Sequence, residues 1–265
     1  MVELRTDNVK AVVFDWAGTT VDHGCRAPVK VFQAVFDSSG VPISEEEARG
    51  PMSLPKRDHL ANLLSDSAIR ARWRTKVGQD PGNDDVEVLY RRFLEMDRDI
   101  VTANSDVIPG VAKTVAALRA RGIKIGSTTG YTRAVIQAIL PKAAAQGYAP
   151  DTVVATDDVP AGRPSPIAMY KTFVDLAAWP ASAVVKVDDT VPGIEEGKEA
   201  GCITVGVTAT GNSVGLSRAE LEALPKDQRR VKLNAAEATL RAVGADFVIE
   251  SVDQLGLLLG LPDSG

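Results

Sequence analysis

Phe14-Asp15-Trp16-Ala17-Gly18-Thr19-Thr20-Val21-Asp22, entered from the apolar run Ala11-Val12-Val13, decides the fold of this chain. A short β-branched run that ends in an acid and breaks at a glycine reads as a buried parallel strand, since a strand covered on both faces has no polar side to show. Such a strand delivers Asp15 to the carboxyl edge of a sheet, where open α/β sheets keep their chemistry. Working outward, the same pattern predicts strands at 123–127, 152–155, 184–188, 203–207 and 246–249. Helical spacing is expected at 111–121, 133–146, 166–176, 193–200 and 229–243. That alternation predicts an α/β chain with a doubly wound, Rossmann-like parallel sheet.

Between Asp15 and Ile123 no strand is expected, and the gap far exceeds an ordinary strand-to-helix connection. Helical patterns fill it at 28–36, 44–49, 55–64, 66–76 and 84–101. The expected organisation is therefore a core from residues 1–23 and 102–265, with a helical cap inserted at 24–101. Hinges are expected near Gly24 and Thr102-Ala103-Asn104-Ser105.

Composition excludes several classes. A net charge of −5 argues against a general nucleic-acid or anionic-membrane binder. The two cysteines, Cys25 and Cys202, form neither a disulfide framework nor a zinc pattern. No apolar run approaches the ~18 residues that a membrane span requires. The polar segment Met1–Lys10 shows no leader signature, so a cytoplasmic location is the expectation.

The opening stretch resembles the first motif of the haloacid dehalogenase superfamily: an Asp, any residue, a second Asp, then Gly-Thr. The resemblance implies that Asp15 is a nucleophile that becomes an aspartyl phosphate. It also implies that the residue two places on protonates a leaving alkoxide. Here that residue is Ala17, which has no proton to give. Losing such a donor costs on the order of 10²–10⁴-fold in rate. Either the leaving group is not an alkoxide, or the protein is crippled.

A device for a different leaving group lies in Gly50-Pro51-Met52-Ser53-Leu54-Pro55-Lys56-Arg57-Asp58-His59-Leu60. Ser53 reads as a helix N-cap and Pro55 as a first-turn residue, with Leu54, Leu60, Leu63 and Leu64 at helical spacing. Lys56 then stands at the positive end of the helix dipole, and that position, like burial, disfavours its ammonium. A lysine lowered to about 7–8 is a competent amine for imine formation. His59, one turn on, shares its helix face and can move protons for it.

With Ala17, this segment is similar to the phosphonatase (phosphonoacetaldehyde hydrolase) branch of the superfamily. The likeness runs through Cys25, Pro51-Met52, Lys56, His59, Gly126-Ser127-Thr128-Thr129-Gly130-Tyr131 and Asp157-Asp158-Val159-Pro160-Ala161-Gly162-Arg163-Pro164. It implies a Schiff base between Lys56 and the aldehyde of phosphonoacetaldehyde, whose protonated form accepts the carbon–phosphorus electrons. No alkoxide then leaves, and Ala17 is no defect. The resemblance further implies phosphoryl or substrate binding by Thr129, Gly130, Arg163, Cys25, Met52 and Tyr131. It implies Mg²⁺ held by Asp15, the Ala17 carbonyl and Asp189, a small-molecule substrate and a homodimer. The usual fourth motif has Gly before its first Asp and another Asp four places after it. This chain has Asp188 and Gly193 there, so Asp188 either replaces the missing charge or points to solvent. Asp22 is expected to cap the turn after Thr20. The competing expectations are a phosphomonoesterase or phosphomutase, which Ala17 disfavours, and a non-catalytic relative. The joint presence of Asp15, Lys56, Arg163 and Asp189 disfavours the latter.

Overall fold

The computed structural model describes residues 8–52 and 54–261. Its centre is a sheet of six parallel strands: β1 (Ala11–Phe14), β2 (Lys124–Thr128), β3 (Thr152–Val154), β4 (Val184–Asp188), β5 (Ile203–Val207) and β6 (Phe247–Ile249). Their spatial order is β3-β2-β1-β4-β5-β6. The order reverses between β1 and β4, and in such sheets the crevice at the reversal is where ligands bind. Register sets Phe14 beside both Ser127 and Val187, and the Asp15 amide still donates to the Val187 carbonyl at 3.0 Å. Asp15 therefore leaves the sheet at its carboxyl edge, one residue past the ladder.

β1 and β4 are buried on both faces, as the apolar run of β1 and the mostly apolar run of β4 require. Val12, Phe14, Val185 and Val187 enter the larger core; Ala11, Val13 and Val184 pack on the opposite face with Met169 and Leu176.

Six helices separate β1 from β2, the first five being α1 (Arg26–Asp37), α2 (Glu45–Arg49), α3 (Lys56–Ser65), α4 (Ser67–Val77) and α5 (Asn83–Ala103). Then follow α6 (Val111–Ala120), α7 (Arg133–Ala145), α8 (Ile167–Leu176), α9 (Val191–Glu199), α10 (Arg218–Ala223), α11 (Lys226–Ala242) and α12 (Leu255–Leu258). Within the first group α1 and α3 each pack on α5, and Phe32 of α1 stacks on His59 of α3. No helix among the described residues is long and apolar enough to cross a membrane.

The structure departs from the sequence expectations in a few places. Pro55 is the N-cap of α3 rather than a first-turn residue, and Ser53, expected to cap it, lies outside the described residues. Asp22 does not cap the turn after Thr20; its Oδ2 accepts from the Ala27 amide at 2.7 Å and so satisfies the start of α1. That turn closes instead on the Trp16 carbonyl, which accepts from the amides of Thr19, Thr20 and Val21. Helix α10 was not expected, although Ser217 and Glu220 form a reciprocal capping box there. Helix α11 begins at Lys226, three residues early, because Pro225 supplies its entry.

Candidate active site

Three strand ends and one loop converge at the reversal point. β1 delivers Asp15, β2 delivers Thr128 and Thr129, β4 delivers Asp188 and Asp189, and the loop after β3 carries Arg163 inward. All six are buried. Arg163 lies 2.8 Å from Asp15 Oδ1, 3.3 Å from Asp188 Oδ2 and 3.1 Å from Glu196 Oε2. Its Nη2 also donates to the Thr128 carbonyl and hydroxyl, at 2.8 and 3.0 Å.

Beneath Arg163 is a second cation that the sequence reading missed. Lys186 is fully buried, with Nζ 2.7 Å from Thr128 Oγ1, 3.0 Å from Asp188 and 3.1 Å from Glu196. Thr128 is the hub of this network: its hydroxyl accepts from Arg163 and Lys186 and donates to Glu196 Oε2 at 2.8 Å. A hydroxyl has two lone pairs and one proton, so all its capacity is used.

Asp188 does not point to solvent. It is fully buried, and its Oδ1 accepts from the Thr190 amide and hydroxyl. A Cβ at Gly193 would lie 2.0–2.1 Å from the Asp188 carboxyl, so that carboxylate fills the space a side chain at 193 would enter.

Asp15, Asp188 and Asp189 each offer an oxygen within 4.8 Å of the others. Asp189 is further held by Thr19 Oγ1 at 2.9 Å and the Asn212 amide at 2.8 Å. Gly18 makes room for it: φ is +86°, and a Cβ there would meet Asp189 Oδ2 at 2.5 Å. Burial, and then the charge of Asp188, push the Asp15 carboxyl up to about 6 against the pull of Arg163 and Lys186. Burial, and then the charges of Asp15 and Asp188, push Asp189 well above the carboxylate range. Burial would raise Asp188 as well, but Arg163 and Lys186 outweigh it and hold it low. Four carboxylates (Asp15, Asp188, Asp189 and Glu196) face two side-chain cations, Arg163 and Lys186. One divalent cation balances that excess. Its hard-oxygen donor set suits Mg²⁺, so the residues present fit the ion.

A small cavity opens over this cluster. It is lined by Asp15, Ala17, Thr129, Gly130, Tyr131 and Arg163, together with Cys25, Pro28, Met52 and Lys56. Most of the expected site residues thus share one wall-to-wall space. A wider cleft outside it, between Pro51 and Asn62 on one side and Pro192 and Asn212 on the other, shares only Met52.

Lys56 is the first residue of α3. Its Nζ lies 5.6 Å from the Phe32 ring centre and 5.9 Å from that of Tyr131. Burial lowers its pKa, and Asp97 opposes that most strongly. His59 is fully buried and does not line the cavity. Its ring stacks on Phe32 at 3.7 Å, and Nε2 faces the Ala48 carbonyl at 3.0 Å. Burial, and then the charge of Lys56, lower its pKa well below the usual value. It is therefore a neutral Nε2–H imidazole whose Nδ1 has no partner. Thr129 Oγ1 accepts from the Tyr131 amide at 3.1 Å, which leaves its proton free for a ligand. Burial holds the Cys25 thiol and the Tyr131 hydroxyl protonated, and the latter is also unpartnered.

The model of haloacid dehalogenase-like hydrolases matches residues 9–201. The chain is 46% identical over 248 residues to a phosphonoacetaldehyde hydrolase of Paraburkholderia xenovorans, covering 94% of this chain and 93% of that protein. It is 43% identical over 247 residues to the Bacillus cereus protein of the same name, covering 93% and 94%. The chain belongs to the phosphonoacetaldehyde hydrolase family, within the haloacid dehalogenase-like hydrolases. A solved phosphonoacetaldehyde hydrolase-like protein from Oleispira antarctica superposes with a TM-score of 0.92 at 37% identity, over 98% of this chain and 95% of that one. The chain is thus a hydrolase on a haloacid dehalogenase-type core. Lys186, Glu196, Thr128 and Asp97 are buried polar residues at or near this site that the sequence reading did not single out. A lysine inside an apolar strand was the one visible signal for the first.

Proposed function

We propose that this protein hydrolyses phosphonoacetaldehyde to acetaldehyde and phosphate, breaking the carbon–phosphorus bond. The observation that carries the reading is a single cavity walled by both the Lys56 amine and the Asp15 carboxylate, with the side chain of Ala17, which has no proton to donate, beside them. Lys56 condenses with the aldehyde and loses water to give an imine. With that imine protonated, Asp15 takes the phosphoryl group and the carbon–phosphorus electrons enter the iminium, giving an enamine. The enamine gains a proton on carbon and is hydrolysed, which frees acetaldehyde and Lys56; water then clears the aspartyl phosphate.

Arg163 orients Asp15 and neutralises phosphoryl oxygens, and the Thr129 hydroxyl and Gly130 amide add donors to them. His59, neutral and with Nδ1 unpaired, handles protons at the amine end. Cys25, Met52 and Tyr131 shape the aldehyde pocket. Asp15, the Ala17 carbonyl and Asp189 are the residues that would hold Mg²⁺, with Asp188 adding its charge behind them. The ion would offset the negative charge that gathers when phosphate meets carboxylate.

In this proposal residues 24–101 act as a cap over a core of 1–23 and 102–265. A homodimer follows from the resemblance and is tested by sedimentation analysis; a cytoplasmic setting is the default that the sequence suggests. The decisive test is borohydride reduction with phosphonoacetaldehyde present. A two-carbon adduct on Lys56 with loss of activity is expected; full activity with unmodified Lys56 defeats the reading.

A further inference from the structure

Of the two buried carboxylates outside the core cluster among the described residues, Asp22 is held by the Ala27 amide and Asp97 is not. Asp97 lies on α5, is 1% exposed, and its Oδ1 has no hydrogen-bond partner. It belongs to the buried stripe Phe93, Asp97 and Val101, spaced four residues apart along α5. Phe93 packs 4.8 Å from the Phe32 ring, the ring over which the Lys56 amine sits. Asp97 follows on the same helix face one turn later, a step of ~5–6 Å, and α3 packs directly on α5.

The other groups around Lys56 are accounted for. Asp15 is held by Arg163 at 2.8 Å, and Arg163 is shared among Asp15, Asp188 and Glu196. Cys25 and Tyr131 stay protonated, and His59, one turn along α3, stays neutral. Among the described residues the one charge that perturbs Asp97 is Lys56. A carboxylate buried without donors costs stability, so an acid at this point needs a reason beyond packing.

We propose that Asp97 is the counter-charge of Lys56, a positioning residue that keeps the iminium formed on the buried amine protonated. The inference rests on the imine reading above. A neutral imine is a poor acceptor for the carbon–phosphorus electrons, and burial alone favours the neutral form. Asp97 opposes burial without being drawn off by another cation. It makes and breaks no bond itself.

The test is reductive trapping of full-length protein with phosphonoacetaldehyde and borohydride across pH, read as the mass of the Lys56 peptide. Wild type is expected to form the adduct. In Asp97→Asn the pH midpoint of trapping falls by about one unit. The iminium-to-imine ratio at fixed pH falls about tenfold with it, since one unit is a factor of ten. The loss appears in kcat more than in KM, and Asp97→Glu returns the midpoint toward wild type. Asp97→Leu, which packs without charge, shifts the midpoint the same way while raising Tm. Midpoints that superimpose in wild type, Asp97→Asn and Asp97→Leu overturn the counter-charge. An absent adduct on wild-type Lys56 overturns the imine reading, and the counter-charge with it.

Discussion

Replacing Lys186 by Met removes the most deeply buried cation of the site while keeping most of its volume. Three contacts are lost, to Thr128, Asp188 and Glu196, at 2.7, 3.0 and 3.1 Å. Asp188 keeps Arg163 and Thr190, and Glu196 keeps Arg163 and Thr128. The carboxylate excess nevertheless grows by one in a region of zero exposure. Breaking a buried ion network from one side costs about 3–5 kcal/mol. For a chain of this size that corresponds to a Tm lowered by roughly 6–20 °C. Lys186→Met/Glu196→Gln removes one positive and one negative charge together, so a coupling of about 1.5–3 kcal/mol should return. The assay is urea unfolding of wild type, both single variants and the double, in chelator so that no metal fills the gap. A Lys186→Met loss below ~1 kcal/mol would refute the network's role. So would costs that simply add, with coupling under ~0.5 kcal/mol.

Lys56→Arg should end both adduct formation and carbon–phosphorus cleavage, because a guanidinium stays protonated and forms no imine; near-normal turnover would contradict the assigned chemistry. Gly18→Ala places a Cβ at φ +86° and 2.5 Å from Asp189 Oδ2. It should cost ~1–2 kcal/mol in backbone strain and weaken Mg²⁺ binding by calorimetry; unchanged affinity would remove Gly18 from that role. Saturating Mg²⁺ at about a hundred times Kd should stabilise the protein by about 2.7 kcal/mol. EDTA should reverse the gain and Asp189→Asn should abolish it; a rise that survives in Asp189→Asn means the ion binds elsewhere. Asp97 carries a carboxyl raised from 3.8 to about 6, chiefly by burial. An acid raised on folding binds its proton more tightly when folded, so it destabilises above pH 6 and the loss fades as pH falls toward 3.8. At pH 8 the penalty is about 3 kcal/mol. Asp97→Asn should therefore gain on wild type in Tm on going from pH 4 to pH 8, and a pH-independent difference in calorimetry would exclude this linkage.

The strands were legible because β1, β4 and β5 are covered on both faces and so read as mostly apolar, β-branched runs. Asp15 and Asp189 follow such runs directly, which made them visible. Glu196 was hidden for the opposite reason. It lies on α9 beside the exposed Glu199 and the half-buried Glu195, and an acid on an amphipathic helix reads as solvated. Only the packing of α9 on β4 turns it inward, toward Lys186 and Arg163. Asp97 left a fainter mark, as the one acid in an otherwise apolar i, i+4, i+8 stripe, but nothing local linked it to a lysine forty-one residues earlier on another helix. The fate of Asp188 could not be read either, since whether a carboxylate at a strand end turns inward depends on what opposes it across the sheet.

The contest between position 188 and position 193 for a single volume constrains how such a site can change. A residue-193 side chain and the Asp188 carboxylate exclude each other. A lineage that moved its acid from one place to the other by single replacements would therefore cross either a crowded intermediate bearing both or a depleted one bearing neither. The two arrangements are alternatives for one volume, and a glycine at one address constrains the other as firmly as any contact does.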